Sequence, residues 1–101
     1  MNDVLYRLCR HCVGFMDGWI PFPSTVLSRA CDLSLYKTRK ELKTLKEQGY
    51  VMSDRYIEMT EDRPIIINGY TITEKAKKTE EYKKALREEN KIVKECFGFD
   101  V

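Results

Sequence analysis

The residues of this sequence with the clearest chemical potential form a basic run from Ser34 to Gln48. Five Lys or Arg residues stand there against two Glu residues, a net charge of +3, whereas the whole chain of 101 residues carries only +2. Clustered cationic side chains neutralise phosphates, and polar groups at the start of a helix contact base edges in the major groove. The pattern therefore favours binding of double-stranded DNA.

The candidate DNA contacts in this run fall into two groups, one placed to reach base edges and one placed to meet phosphates. Residues near the N-terminus of the predicted helix are placed to reach base edges, namely Ser34, Tyr36, Lys37 and Lys40. Residues on its flanks are placed to meet phosphates, namely Arg39 and Lys43. The alternative to DNA contact is that the whole set forms an ordinary solvated, lysine-rich helix face. For Tyr36, the alternative is that its ring lies over the aliphatic stems of neighbouring lysines.

A second candidate chemistry lies in the segment Cys9-Arg-His-Cys12. Its spacing suits a zinc or redox pair, and Cys31, Cys96 or His11 would have to complete four ligands. A second close cysteine pair is missing, and three of the four cysteines fall at apolar positions of predicted helices. We therefore predict reduced thiols that pack in the core, with no metal or cofactor, and keep a thiol or metal sensor as the alternative.

The sequence shows little that would indicate catalysis or membrane insertion. His11 is the single histidine, no serine or carboxylate is spaced to complete a triad with it, and no glycine-rich phosphate loop is present. No apolar run approaches the length of a membrane span, and the N-terminus lacks a signal-peptide pattern. The prediction is a non-enzymatic, cytoplasmic protein with a single domain over residues 1–101.

The elements that position these residues begin with a helix over residues 3–16. Its apolar stripe has helical spacing and consists of Leu5, Leu8, Cys9, Cys12 and Met16. Prolines then make residues 19–23 extended, and a very short strand would fit there. Trp19 and Phe22 in this segment are predicted to close the core between helices.

Two serines are predicted to cap the helix before the basic run and the basic helix itself. Ser24 is predicted to cap a helix that ends near residue 32 and turns Leu27, Ala30 and Cys31 inward. Ser34 is predicted to cap the basic helix, residues 34–48, which stops at Gly49. The inward face of this helix is predicted to consist of Leu35, Thr38, Leu42 and Leu45.

The remaining chain changes from strand to helix periodicity. Residues 50–59 and 65–73 are rich in β-branched and aromatic residues and predict a hairpin with a loop over residues 60–64. Asn68-Gly69 is a competing turn. The last helix is predicted over residues 74–97, and because its apolar seam is thin, its distal part is expected to pack on another subunit.

The order of these elements resembles the winged helix-turn-helix regulators. Residues 33–51 resemble their recognition helix, and Gly69-Tyr-Thr-Ile-Thr73-Glu-Lys is similar to the exit of their wing. The likeness covers residues 19–78 in a layout resembling small PadR-like and MarR-like repressors. It implies a mainly α fold with a small β-hairpin, a core over residues 3–72, a wing over about 50–73, and a terminal helix used for dimerisation.

Two residues or groups depart from the pattern of these regulators. Thr38 occupies a position in the recognition helix that is usually aliphatic, and the wing tip, Glu61-Asp62-Arg63, is net acidic. A wing that contacts DNA is usually basic, so Arg63 and Arg55 are the candidate contacts that remain there.

The resulting functional prediction is a sequence-specific DNA-binding protein, a small transcriptional regulator of bacterial or phage type. It would act as a homodimer through the C-terminal helix, with helix 34–48 in the major groove. The alternative is a winged-helix module for protein interaction or assembly that does not bind DNA, which the acidic tip and the modest net charge favour.

Overall fold

The computed structural model describes residues 1–15 and 17–98, with only the backbone of residue 97. Within these residues the chain has an α+β architecture of four α-helices, of which the C-terminal one is long, and a two-stranded antiparallel hairpin, as predicted. The elements in chain order are α1 (Asp3–Cys12), α2 (Ser24–Cys31), α3 (Leu35–Glu47), β1 (Val51–Met59), β2 (Pro64–Ile72), a 3₁₀ turn (Lys75–Lys78) and α4 (Glu80–Phe97).

Helix α1 is shorter than the predicted span of residues 3–16. It begins after Asn2, whose side chain accepts the backbone N–H of Leu5 at 3.0 Å, and it ends at Cys12. The chain then turns back so that the His11 ring nitrogen lies 2.6 Å from the carbonyl of Ile20. Helical spacing alone could not show this reversal, and the predicted stripe position Met16 lies outside the described residues.

Helices α2 and α3 follow the prediction closely, with two corrections in α2. Pro23, rather than Ser24, is its N-cap, because the Pro23 carbonyl accepts the first helical N–H groups. Ala30 is exposed, since it lies about 105° around the helix from the core direction set by Leu27, Ser28 and Cys31. In α3, Ser34 caps the helix as predicted by accepting the N–H of Lys37 at 3.1 Å.

The hairpin has the predicted connection and not the competing one. Its register runs from Val51 opposite Ile72 to Met59 opposite Pro64, so the loop lies at residues 60–63 and Asn68-Gly69 stays inside β2. Phe22 pairs with Tyr70 through two backbone hydrogen bonds of 3.0 Å. This single-residue bridge confirms the very short strand predicted in the proline segment.

The C-terminal segment is not the single helix predicted over residues 74–97. A 3₁₀ turn precedes α4, and the extended residue Thr79 separates the two. The Thr79 hydroxyl donates to the carbonyl of Ala76 at 2.6 Å and accepts the N–H of Tyr82 at 3.2 Å. The break lets Ala76, which is fully buried, reach the core before α4 begins.

Helix α4 packs alongside α1 in the same direction. The contacts pair Asn2 with Glu81, then Tyr6 with Glu88, then Arg10 with Glu89, advancing along both helices together. The buried core lies between these helices, α2, α3 and the base of the hairpin; it consists of Val4, Leu5, Leu8, Cys9, Leu27, Leu42, Leu45, Val51, Ala76 and Ala85. None of the helices in the described part of the chain is long and apolar enough to cross a bilayer.

Candidate nucleic-acid interface

One face of α3 anchors the helix and leaves the opposite face in solvent. Thr38, Leu42 and Leu45 are buried, as predicted, and Leu35 is half-buried beside them. The Thr38 hydroxyl donates to the Ser34 carbonyl at 3.0 Å, so a polar residue fits an apolar position without an unpaired group. The orientation of the exposed face is therefore set by core packing.

The exposed face of α3 brings together the candidate contacts predicted on that helix. Tyr36 is 75% exposed, and the three lysines of the set are exposed around it. Ser34 uses its oxygen lone pairs to cap the helix, which leaves its O–H as a possible donor to a ligand. The members that share this surface are Ser34, Tyr36, Lys37, Lys40 and Lys43.

Arg39 lies on the flank of α3 that faces the hairpin. Its Nε lies 3.4 Å from the Ser24 hydroxyl oxygen at the start of α2. The side chain lines a cleft of about 400 Å³ together with residues of α2 and both strands, including Ser53 and Asn68. Sequence spacing could not have identified the polar groups of this cleft, because they come from four separate elements.

The two hairpin candidates lie at different distances from α3. Arg55 is exposed in the middle of β1, opposite Asn68, on the same face of the hairpin as Val51 and Ser53. Arg63 lies in the loop, and β1 alone spans about 26 Å at 3.3 Å per residue. The structure therefore places Arg55 near the α3 face and Arg63 at the far end of the hairpin.

Acidic residues border the cationic face of α3. Glu47 is exposed on the last turn of α3. Glu41 turns toward α1 and accepts the side-chain N–H of Asn2 at 2.6 Å. A groove of about 480 Å³ runs between α1 and α3 here, and Asp3 lines it with Lys37 and other residues. Four of the five Lys and Arg residues of α3 therefore lie in its first three turns.

The cysteines have the core positions predicted for them, apart from the exposed Cys96. Cys9 is fully buried, and Cys12 and Cys31 pack against the core. Burial, followed by the neighbouring Cys12 and Glu81, raises the pKa of Cys9 to about 12. Burial also raises the pKa of Cys12, and it raises the pKa of Cys31 to about 11. These thiols stay protonated at neutral pH and are weak nucleophiles.

Metal binding gains no geometric support within residues 1–15 and 17–98. No group of three or more His, Cys, Asp or Glu side chains in these residues is arranged to hold an ion. His11 lies against the Phe22 ring, with centroids 4.2 Å apart, rather than beside a second cysteine pair. The described residues therefore offer no metal site built around Cys9 and Cys12.

The structure contradicts the prediction that Trp19 closes the core. Its side chain is 64% exposed and meets the ring of Tyr56 edge-on, with centroids 4.8 Å apart. Phe22, by contrast, packs against the core as predicted. Trp19 precedes the Phe22–Tyr70 bridge and lies along the outside of the hairpin, where the core cannot reach it.

Comparison of the chain with protein-family models, with curated proteins and with solved structures gives no match. The assignment of the candidate interface therefore depends on the position, exposure and charge of its own residues.

Proposed function

We propose that this protein is a winged helix-turn-helix DNA-binding protein that inserts α3 into the major groove and acts as a small transcriptional regulator. The observation that carries the proposal is the exposed face of α3, where Tyr36, Lys37, Lys40 and Lys43 lie together while the opposite face is held in the core. A helix fits the major groove, which is about 12 Å wide.

The length of α3 allows some of its residues to contact base edges and others to contact phosphates. Its 13 residues span about 20 Å at 1.5 Å per residue, so its N-terminal half can reach base edges while its flanks meet the phosphate backbone. In this proposal Tyr36, Lys37 and Lys40 discriminate sequence, with Ser34 as a neutral donor. Arg39 and Lys43 contribute affinity that depends on salt.

The hairpin has a smaller role in the proposal. Arg55 lies on the hairpin face that is closest to α3 and is the better candidate for a phosphate contact. Arg63 is separated from α3 by the length of β1, and Glu61 and Asp62 precede it. The net acidic loop would oppose DNA at short range, so we assign most of the binding free energy to α3.

The homodimer through the C-terminal helix stays a prediction. In the structure α4 packs along α1, and the glutamates at positions 81, 88 and 89 form hydrogen bonds with α1 or the residues flanking it. Its outer side carries Lys83, Arg87 and Lys91. Exposed Leu86 and Ile92 lie on opposite flanks of that charged stripe, so a second subunit would meet little continuous apolar surface there.

The proposal is tested by the double variant Lys37→Ala/Lys40→Ala. We expect weaker binding to a nonspecific duplex, on which no base is recognised and both lysines act on phosphates. The slope of log K against log salt should fall by about 2, since each lost phosphate contact contributes about 0.9. Fluorescence anisotropy of a labelled duplex over a range of salt concentrations measures both quantities. The matched control, Arg87→Ala/Lys91→Ala, removes two positive charges from α4 and should leave the slope of log K against log salt nearly unchanged.

Equal losses in the two double variants would mean that binding follows net charge, and the assignment to α3 would be wrong. Wild-type protein that does not bind duplex DNA even at low salt would remove the proposal altogether.

The alternative is a winged-helix module for interaction or assembly that does not bind DNA. The exposed apolar side chains of the hairpin favour it, because residues such as Ile57, Met59 and Ile66 are rarely left in solvent without a partner. The duplex titration separates the two functions: an assembly module shows no salt-dependent binding, and the α3 variants leave its interactions intact.

A further inference from the structure

The hairpin carries an exposed apolar surface that the DNA-binding proposal does not use. Alternation along the strands places Ile57, Met59, Pro64 and Ile66 on one face, where Ile57 lies directly opposite Ile66 and Met59 opposite Pro64. Ile57, Ile66 and Met59 are 51%, 54% and 74% exposed. We call these four residues the Ile57 face.

The opposite face of the hairpin is better covered. Trp19 lies edge-on against Tyr56, and both Tyr56 and Ile67 are half-buried. Its remaining residues near the loop include the charged Glu58 and the exposed Ile65. On the Ile57 face the pairs Ile57–Ile66 and Met59–Pro64 are neighbours with no charged residue among them. Contiguous apolar surfaces of this kind mark sites of protein association.

Charges of opposite sign lie at the two ends of the Ile57 face. Toward the body of the protein, Arg55 lies on this face, and Lys46 of α3 donates to the Ser53 hydroxyl at 3.0 Å. At the other end, the loop carries Glu61 and Asp62, only partly offset by Arg63. Along the hairpin, the surface thus runs from basic through apolar to acidic.

We propose that the Ile57 face is a self-association surface, on which two copies of this chain pack antiparallel about a two-fold axis. A two-fold contact brings the same patch of both subunits together, with the second copy turned end for end. One end of the patch must therefore be complementary to its other end. Reversal of this face sets apolar residues against apolar residues and the acidic loop of each copy against the basic end of the other.

The spacing along β1 supports this register. Ser53, which contacts Lys46, lies four residues before Ile57, about 13 Å at 3.3 Å per residue, and β1 ends two residues after Ile57, just before the loop that carries Glu61. An axis near Ile57 and Ile66 would therefore bring the loop carboxylates of one copy beside Lys46 of the other. Burial of the isoleucine pairs would supply the affinity, and the charges would select the antiparallel orientation.

The inference concerns the hairpin and Lys46 at the end of α3, and it does not depend on whether α3 binds DNA. It differs from the predicted dimer through the C-terminal helix in the surface that it uses. The outer face of α3, with Tyr36 and Lys40, lies outside the proposed contact.

The first test measures the mass of the full chain by sedimentation equilibrium over a range of concentrations. We expect a reversible dimer, and Ile57→Lys should raise its dissociation constant about tenfold or more, because the substitution buries a charge at the centre of the contact. Two controls carry the same change on other exposed isoleucines: Ile65→Lys on the opposite face of the hairpin and Ile92→Lys on α4. Both should leave the dissociation constant within about twofold.

The second test reverses the charges. Lys46→Glu and Asp62→Lys should each weaken the dimer, and the double variant should restore much of the affinity, because the symmetric contact contains the pair twice. Circular dichroism and thermal unfolding of every variant establish that the exposed substitutions leave the fold intact.

A wild-type chain that stays monomeric at all concentrations would overturn the inference. So would a dimer that Ile57→Lys leaves unchanged, or one that Ile92→Lys dissociates as strongly, since that result would place the contact on α4. Failure of the charge reversal to restore affinity would overturn the antiparallel register.

Discussion

At the scale of single residues, Thr38 shows how a polar side chain can serve as a core residue. It is fully buried between α3 and the core, in a position where an aliphatic residue would be expected. Its hydroxyl donates to the Ser34 carbonyl, which also accepts the backbone N–H of Thr38. The carbonyl is therefore satisfied without the hydroxyl, and the methyl group accounts for the packing.

This argument predicts opposite outcomes for two conservative substitutions. Thr38→Val keeps the methyl group and removes a hydroxyl that no other group needs, so the free energy of unfolding should stay equal or rise by up to about 1 kcal/mol. Thr38→Ser removes the methyl group from a filled core and should lower it by about 1 kcal/mol. Urea unfolding measures both; a Val variant less stable than the Ser variant would show that the hydroxyl is the important group.

At the scale of elements, Gly69 links the hairpin to the segment that precedes α2. The residue is buried inside β2 and is not one of the glycines with positive φ in the described residues, which are Gly49 and Gly98. A Cβ atom at Gly69 would lie 2.7 Å from the carbonyl carbon of Phe22. The glycine is needed for close approach of the Phe22 backbone and not for a turn.

Gly69→Ala is therefore expected to displace Phe22 and weaken its bridge to Tyr70. The free energy of unfolding should fall by about 1–3 kcal/mol, the usual cost of overpacking. The control is Asn68→Ala, one residue earlier on an exposed position, which should change stability by about 0.5 kcal/mol or less. Hydrogen exchange at the amide of Tyr70, which donates to Phe22, locates the effect, and equal protection in both variants would contradict it.

At the scale of the whole molecule, packing separates charges that are balanced in the sequence. Helix α4 contains five Glu residues and five Lys or Arg residues over positions 80–97. Three of the glutamates bind α1 or its flanking residues, and Glu89 joins Arg10 in an ion pair with both side chains largely buried. The outer side of α4 is consequently basic, although the helix as a whole is neutral.

Burial of the thiols predicts a loss of stability at alkaline pH. The folded pKa of Cys9 is about 12, whereas an unfolded cysteine titrates near about 8.5. Between these values the unfolded chain binds fewer protons than the folded chain, so stability falls as the pH rises. Urea unfolding under reducing conditions from about pH 8 to about pH 11 should show a steeper decline for wild type than for Cys9→Ala.

The comparison uses each variant's own stability near neutral pH as its reference, because Cys9→Ala also leaves a cavity. Cys96→Ala, which changes an exposed thiol, should follow wild type. Identical pH dependence in wild type and Cys9→Ala would contradict a thiol held protonated by burial.

Much of the fold follows from local patterns, because caps, apolar spacing and strand propensity act over a few residues. The Ser34 cap, the inward face of α3 and the hairpin loop all lie where these patterns predict. The errors fall where distant parts of the chain meet. The chain reversal after Cys12 and the exposure of Trp19 each depend on contacts with another element. The break at Thr79 is the exception, since its hydrogen bonds to Ala76 and Tyr82 are local.

The candidate interface divides in the same way. By itself, the sequence determined that Lys37, Lys40 and Lys43 share one side of a helix, since helical periodicity places them there. Only the tertiary structure decided that this side faces solvent, that Arg39 lines a cleft with α2 and the hairpin, and that apolar residues around Ile57 remain exposed. Periodicity relates neighbours along one element, whereas exposure depends on which surfaces the other elements cover.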